Sequence, residues 1–429
     1  MIVALILATA QGLSAAEQRV RDAVQSQRAD AIAYLQRQVD IPSSTLNFAG
    51  VRRVGEMYRA SLDSLGFTTR WSDQSAQGRA GHLIAERRGR TGAVRMLLIG
   101  HFDTVVEPGG PSWRVQDSTR ALGIGASDMK GGNVIALYAL KALHAAGALD
   151  GLNVTVVMTG DEEDAGSPLA EARADLIAAA RNSDVALAFE GGNRGDATVA
   201  RRGSSNWKLF VTGRQAHSSG VFGQGSGYGA IYEIARIIDA IRRELSSEQY
   251  LTINVATIVG GTDVTYDSVT NRGTAESRLN IIPRSAIAYG DLRFLTEEQK
   301  ERARARMRAI VAQHLPQTGA EIHFEDRYPG MAPTPGNGRL LAIYDGASRA
   351  LGHGAVTAID PGRRGAGDIS FVAPIIDGLD GLGALGSGAH APGESVHLPS
   401  LVMQTERAAI LLLRLGLMSA TDFRRRTVQ

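Results

Sequence analysis

The chain has 429 residues, more than one hydrophobic core usually supports, so two domains are the starting expectation. Its 46 Lys and Arg nearly balance 44 Asp and Glu, and 44% of it is hydrophobic, so it reads as an ordinary globular protein with no electrostatic case for a nucleic-acid partner. With no cysteine, disulfides, thiolate ligands and a cysteine nucleophile are all excluded, and any metal site must be built from His and carboxylates.

The opening "MIVALILATAQGLSAAEQ" carries an apolar run from Ile2 to Ala8, followed by small residues at Ser14, Ala15 and Ala16. It resembles the apolar core and cleavage region of a secretory signal peptide without the basic lead-in, so residues 1–16 are expected to direct export to a periplasm or the exterior. The run is too short to span a bilayer and no later segment is long enough, so no membrane partner is expected. A helical pattern from Arg28 breaks at Pro42 and resumes from Val51 to Leu65. Strands then alternate with helices: strand "VRMLLIG", a helix over "NVIALYALKALHAAG", strand "NVTVVMTG", a helix near "LAEARADLIAAA", and strand "DVALAFEGG". That alternation predicts an α/β fold with a mainly parallel central sheet flanked by helices, whose functional groups collect at the carboxyl ends of the strands.

The pattern changes after Arg202. Strand "NWKLFVTGRQAHSSG", amphipathic helix "GAIYEIARIIDAIRREL", strands "YLTINVATIVGG" and "SAIAYGDLRF", charged helix "TEEQKERARARMRAIVAQHL" and strand "AEIHFEDR" predict an inserted α+β domain of ferredoxin-like type at residues 204–324. The first domain is then discontinuous, residues 17–203 and 325–429. It resumes with a helix from about Gly338 to Leu351, a glycine-rich passage "DPGRRGAGDIS" and a closing helix from Leu401 to Leu417. The basic run "FRRRT" from Phe423 reads as a solvated tail.

Five stretches carry the chemistry. "LLIGHFDTVVEPGG" puts His101 and Asp103 one residue apart at a strand end, on the same face of an extended backbone. "GIGASDMKGG" places Asp128 in a glycine-rich turn before a helix, and "TGDEEDAGS" puts Asp161, Glu162, Glu163 and Asp164 after a strand. "FEGG" puts Glu190 after another strand, and "GSGAHAPGES" puts His390 in a glycine-rich loop. Each alone has an ordinary explanation as a helix cap, solvated charge or loop residue. Together, His101, Asp128, Glu163, Glu190 and His390 fall at one edge of one sheet, where clustered carboxylates repel each other and cations are the usual remedy. Five nitrogen and oxygen ligands, one of them shared, match two divalent ions, zinc first, with cobalt or manganese as substitutes.

The motifs "GHFDTV", "GASDMKGG", "GDEED", "FEGG" and "GAHAPGE" resemble, in order and spacing, the dinuclear zinc exopeptidases and deacylases that include glutamate carboxypeptidase, aminoacylase, acetylornithine deacetylase and succinyl-diaminopimelate desuccinylase. The resemblance covers nearly the whole chain after the leader. It implies two zinc ions per chain, with His101 and Glu190 on one, Glu163 and His390 on the other, and Asp128 bridging. It implies that Asp103 orients His101, that the Asp128–Met129 peptide is cis, and that Glu162 is the general base. The insert is implied to be a lid that commonly forms a homodimer, with His217 of "GRQAHSSG" stabilising the oxyanion. Asn280 and Arg293 of "NIIPRSAIAYGDLRF" are implied to grip the substrate's free carboxylate. One departure stands out: where many relatives read close to Gly-Gly-Thr-Asp, this chain reads "RRGAGDIS", with Arg363 and Arg364 just ahead, so an unusual side-chain preference is expected. The expected activity is hydrolysis of an amide beside a free α-carboxylate, in a small peptide or N-acyl amino acid. A glutamate-releasing carboxypeptidase is the first expectation, an N-acyl-amino-acid deacylase or dipeptidase the alternative. An exported solute-binding protein would share the size and leader but needs no convergent ligands.

Overall fold

Three apolar runs lie side by side as parallel strands in the computed structural model, which describes residues 12–267 and 272–425. Arg95–His101 pairs with Asn153–Thr159 on one side and Val185–Ala188 on the other, and Asp377–Leu379 continues the parallel part beyond Val185–Ala188. Two antiparallel strands, Thr68–Ser72 and His82–Arg87, complete the six-stranded sheet next to Asn153–Thr159. Every position of Arg95–His101 after Arg95 is buried, as befits a central strand of a covered parallel sheet. The nearly all-buried helix Lys130–Ala145 packs against Leu398–Leu417, with Ala15–Ser26 and Arg28–Val39 beside them. Ala174–Arg181 and Ile369–Val372 pack together and touch Asn153–Thr159 and Val185–Ala188 respectively.

Local chemistry sets several element ends that periodicity alone misplaces. The Asn47 side chain accepts the Gly50 amide and starts the helix Phe48–Ser64 ahead of Val51. Ser14 and Glu17 form a reciprocal capping box on Ala15–Ser26, and Arg414 of Leu398–Leu417 donates to Glu17. Ser14 to Ala16, read from sequence as the end of a leader, thus form the cap and first turn of this helix; residues 1–11 of that opening, and the tail beyond Arg425, lie outside the described residues. The single helix expected over "LAEARADLIAAA" is two, Leu169–Ala172 and Ala174–Arg181, interrupted at the buried Arg173.

The chain divides into two compact units. The first contains this sheet and takes the described residues of 1–199, 333–360 and 367–429; the second takes those of 200–332 together with 361–366. In the second, four antiparallel strands run in the order Thr252–Gly261, Ser285–Phe294, Gly203–Gly213, Thr318–Asp326. Gly229–Leu245 and Glu297–Val311 pack on that sheet around Trp207, Leu209, Ile234, Ile237 and Met307. An antiparallel pair of Asp263–Asp267 with Arg272–Glu276 escaped the sequence reading, because its second strand is exposed throughout and shows no alternation. The arginine-bearing piece of "DPGRRGAGDIS" is fastened within this unit: Arg201 donates to the carbonyls of Gly365 and Ala366, and Arg202 to that of Gly362. Among the described residues no helix is long and apolar enough to cross a membrane.

The helix Lys130–Ala145 has to approach the end of Val185–Ala188 closely. A Cβ at Gly132 would stand 1.8 Å from the Phe189 carbonyl oxygen, a backbone atom that cannot rotate away. Gly132→Ala is therefore expected to destabilise the fold by about 1–3 kcal/mol, read as an earlier denaturant midpoint. An unchanged midpoint would mean that the helix can withdraw from the strand end at no cost.

Candidate metal centre

Three adjacent strand ends and two loops deliver the site, all in the first unit. His101 closes Arg95–His101, Glu162 and Glu163 follow Asn153–Thr159, and Glu190 follows Val185–Ala188. Asp128 lies in the turn before Lys130–Ala145, and His390 in the loop between Gly386–Ser387 and Ser395–His397. Asp128 stands between the two imidazoles: its Oδ1 is 3.5 Å from His101 Nε2 and its Oδ2 is 3.1 Å from His390 Nε2. His101 Nε2 is 3.7 Å from Glu190 Oε1, and His390 Nε2 is 3.2 Å from Glu163 Oε2. One ligand atom each from His101, Asp128 and Glu163 fall within 4.8 Å of one another, and so do one each from His101, Glu162 and Glu190. The Asp128–Met129 peptide is cis. His390 takes a left-handed backbone, φ 64°, a conformation uncommon outside glycine that recurs at functional sites.

The charges of the site act on one another. Burial works against a charged His101, but the Asp103 and Asp128 carboxylates outweigh it and hold the imidazole well above its usual range. Hydrogen bonds to Asp128 and Glu163 push His390 up to about 10. Burial would raise Asp128, yet the two imidazoles hold it well below the usual carboxylate range. Glu162 is raised well above that range, chiefly by burial and then by the charge of Glu190, and burial raises Glu163. The donor set itself tests whether a metal fits here. His101 Nε2 and Glu163 Oε1 are buried without a hydrogen-bond partner among the described residues, a costly state that a cation ligand resolves. Imidazole nitrogen and carboxylate oxygen with no sulfur suit a divalent first-row metal. The residues therefore fit a metal pair, with one oxygen of Asp128 turned toward each half-site.

Supporting contacts explain why these side chains hold this arrangement. His101 Nδ1 is 3.0 Å from the Asp103 carbonyl oxygen and 3.3 Å from its carboxylate, so it donates to Asp103 and leaves Nε2 facing the centre. The Asp103 carboxylate also accepts the amides of Glu162 (3.0 Å) and Glu163 (3.1 Å) and the Thr45 hydroxyl (2.6 Å), a task that spacing alone did not reveal. The buried Lys130 donates to the carbonyls of Gln38 and Ile41, just before the segment that brings Thr45. Asp161, the first acid of "DEED", turns away: it accepts from Arg173 at 2.7 Å and from the Gly166 amide at 2.8 Å. Arg173 also donates at 2.8 Å to Asp368, which accepts the Thr159 hydroxyl at 2.6 Å. Asp164 pairs with Arg79.

The substrate residues expected on the insert lie in the second unit. His217 Nδ1 is 2.9 Å from the Ser219 hydroxyl, the residue bridges Ile281, and the Ser218 amide donates to the Asn280 carbonyl, so His217 and Asn280 share one end of that unit. Arg293 stands elsewhere, near the far end of Ser285–Phe294, opposite Ser204 and 2.7 Å from Asp291. From Ser285 to Arg293 an extended strand covers about 27 Å.

Sequence reasoning missed Arg173 and Asp368, which are 195 residues apart. Arg173 stands between Glu171 and Asp175 in an alanine-rich helical pattern, where it reads as one more solvated charge. Removing one partner of such a buried group leaves uncompensated charge, so Arg173→Ala is expected to cost about 3–5 kcal/mol in a denaturant titration. Lysine, with no fork for two carboxylates, should recover only part of it. Wild-type stability in Arg173→Ala would refute this account of the turn.

The profile of the peptidase family M20/M25/M40 matches residues 97–414. Carboxypeptidase G2 of Pseudomonas sp. (strain RS-16) is 27% identical over 435 residues, covering 96% of this chain and 97% of that protein. A succinyl-diaminopimelate desuccinylase of Acidiphilium cryptum (strain JF-5) is 27% identical over 358 residues, covering 80% of this chain and 87% of its own. In fold, the chain resembles the crystal structure of Bacillus subtilis YXEP protein, described as a dinuclear metal binding peptidase of the M20 family, with a TM-score of 0.63, 14% identity, and 91% and 98% of the two chains covered. The chain belongs to peptidase family M20/M25/M40 and is a hydrolase of its metallopeptidase and amidohydrolase kind.

Proposed function

We propose that the protein is a dinuclear zinc hydrolase that cleaves an amide beside a free α-carboxylate, releasing a C-terminal glutamate-like residue from a small peptide or acylated amino acid. The observation that carries this reading is the placement of Asp128, whose two oxygens face different imidazoles, each with its own glutamate nearby. When bound, two zinc ions supply polarisation of the scissile carbonyl and acidification of a water. Glu162 receives the proton of the attacking water and passes it to the leaving amine. Its raised carboxyl suits the acid half of that cycle, and nearby positive charge favours the carboxylate needed for the base half.

The guanidinium of Arg293, half-exposed on its strand, offers a two-pronged donor for the substrate carboxylate. The similarity to carboxypeptidase G2 along nearly the whole chain favours the carboxypeptidase reading. The similarity to a desuccinylase favours a second reading, deacylation of an N-acyl amino acid by the same groups. His217 and Asn280 lie far from Arg293 on the second unit, so a small substrate held by all three calls for two copies of the chain. We therefore place the enzyme as a homodimer through this unit, with His217 donating to the oxyanion in the partner's site.

Glu162→Gln is expected to keep two zinc ions per chain by elemental analysis and to lose about 100- to 10,000-fold in turnover. Undiminished turnover would place the base elsewhere. Release of free amino acid from benzoyl-glutamate, N-acyl amino acids and dipeptides, with zinc or with a chelator, chooses between the two readings by the best substrate. For the shared site, co-expressed Glu162→Gln and His217→Ala chains should regain activity that neither has alone, and a mixture as inactive as its parts would argue against it.

A further inference from the structure

Four residues beyond His390, the chain buries a carboxylate with no place in the scheme above. Glu394 is 2% exposed. Its Oε1 accepts the Ser127 amide at 2.8 Å, the Ser127 hydroxyl at 2.9 Å and the Asp128 amide at 2.9 Å, and its Oε2 accepts the Gly125 amide at 2.7 Å. Its own carbonyl accepts the Gly123 amide at 2.9 Å, and its amide donates to Ala391, closing the turn that follows His390. Immediately after it, Ser395–His397 pairs with Arg120–Leu122, the strand that leads into the Asp128 turn. A carboxylate is acceptor-only, so it can receive three N–H groups and a hydroxyl at once, and charge-assisted bonds of this kind offset the cost of burying it.

We infer that Glu394 is a positioning residue that holds the His390 half-site against the bridging Asp128 by tying the Asp128 turn to the His390 loop, an inference that rests on the metal-pair reading above. The clamp joins segments 266 residues apart in sequence and holds them where Asp128 Oδ2 and His390 Nε2 come within 3.1 Å. Glutamine has nearly the same shape, but it keeps one acceptor oxygen and turns an NH2 group toward an amide donor. A purely structural Glu394 would affect stability and leave the zinc affinity of the folded protein unchanged. A positioning Glu394 changes that affinity, as outer partners of metal ligands do.

The test is zinc affinity by competition with a chromophoric chelator, together with melting temperature with and without zinc, for wild type, Glu394→Gln and Ser127→Ala. Folded Glu394→Gln should bind zinc about 10- to 100-fold more weakly, with a smaller zinc-induced rise in melting temperature. Ser127→Ala removes only the hydroxyl bond and should weaken zinc by about 2- to 10-fold, which keeps the test open if Glu394→Gln does not fold. Wild-type affinity in folded Glu394→Gln, or in Ser127→Ala should the first not fold, would overturn the clamp alone. A wild type that takes up no divalent cation would overturn the metal-pair reading itself, and the clamp with it.

Discussion

The crowding of carboxylates at one edge of the parallel sheet is the constraint to which the rest of the structure answers. Two like charges 4 Å apart repel by about 4 kcal/mol at the effective dielectric of a protein surface, and here Asp103, Asp128, Glu162, Glu163 and Glu190 converge. The fold separates their tasks. Asp103 is spent on the amides of Glu162 and Glu163, and Asp161 is drawn off to the buried Arg173. Asp128 and Glu163 have imidazoles beside them, a pairing that a metal pair can share and a guanidinium would block.

The parallel sheet makes this convergence possible. Adjacent strands that run the same way end at the same edge, so three separate strand-to-loop junctions bring His101, the Glu162–Glu163 pair and Glu190 together with no long excursion of chain. The helix Lys130–Ala145 then presents Asp128 from its N-terminal turn, close enough to the Phe189 carbonyl that only glycine fits at position 132.

This part of the architecture was legible in the sequence for the same reason: His101, Glu162, Glu163 and Glu190 come at or after apolar runs and Asp128 precedes a helix, so local pattern and local chemistry coincide, whereas His390 sits in a glycine-rich loop. The long helices Gly229–Leu245 and Leu398–Leu417 were legible from their apolar periodicity, the second starting slightly earlier than expected. What escaped is non-local or lacks a burial pattern. The bond of Arg173 to Asp368 and the clamp of Glu394 on residues 125–128 depend on pairings across hundreds of residues, and no periodicity announces them. Asp103 was read through its neighbour His101, yet its carboxylate also organises a turn on a different strand. The fastening of the "DPGRRGAGDIS" passage by Arg201 and Arg202, through the carbonyls of Gly362, Gly365 and Ala366, is visible only in three dimensions.

The central claim is that Asp128 bridges two cations, and X-ray absorption at the zinc edge of the zinc-loaded protein tests it most directly. The account predicts two zinc ions per chain, nitrogen and oxygen neighbours only, and a second metal at about 3.5–4 Å from the first. A single zinc with no metal neighbour at that distance would contradict it.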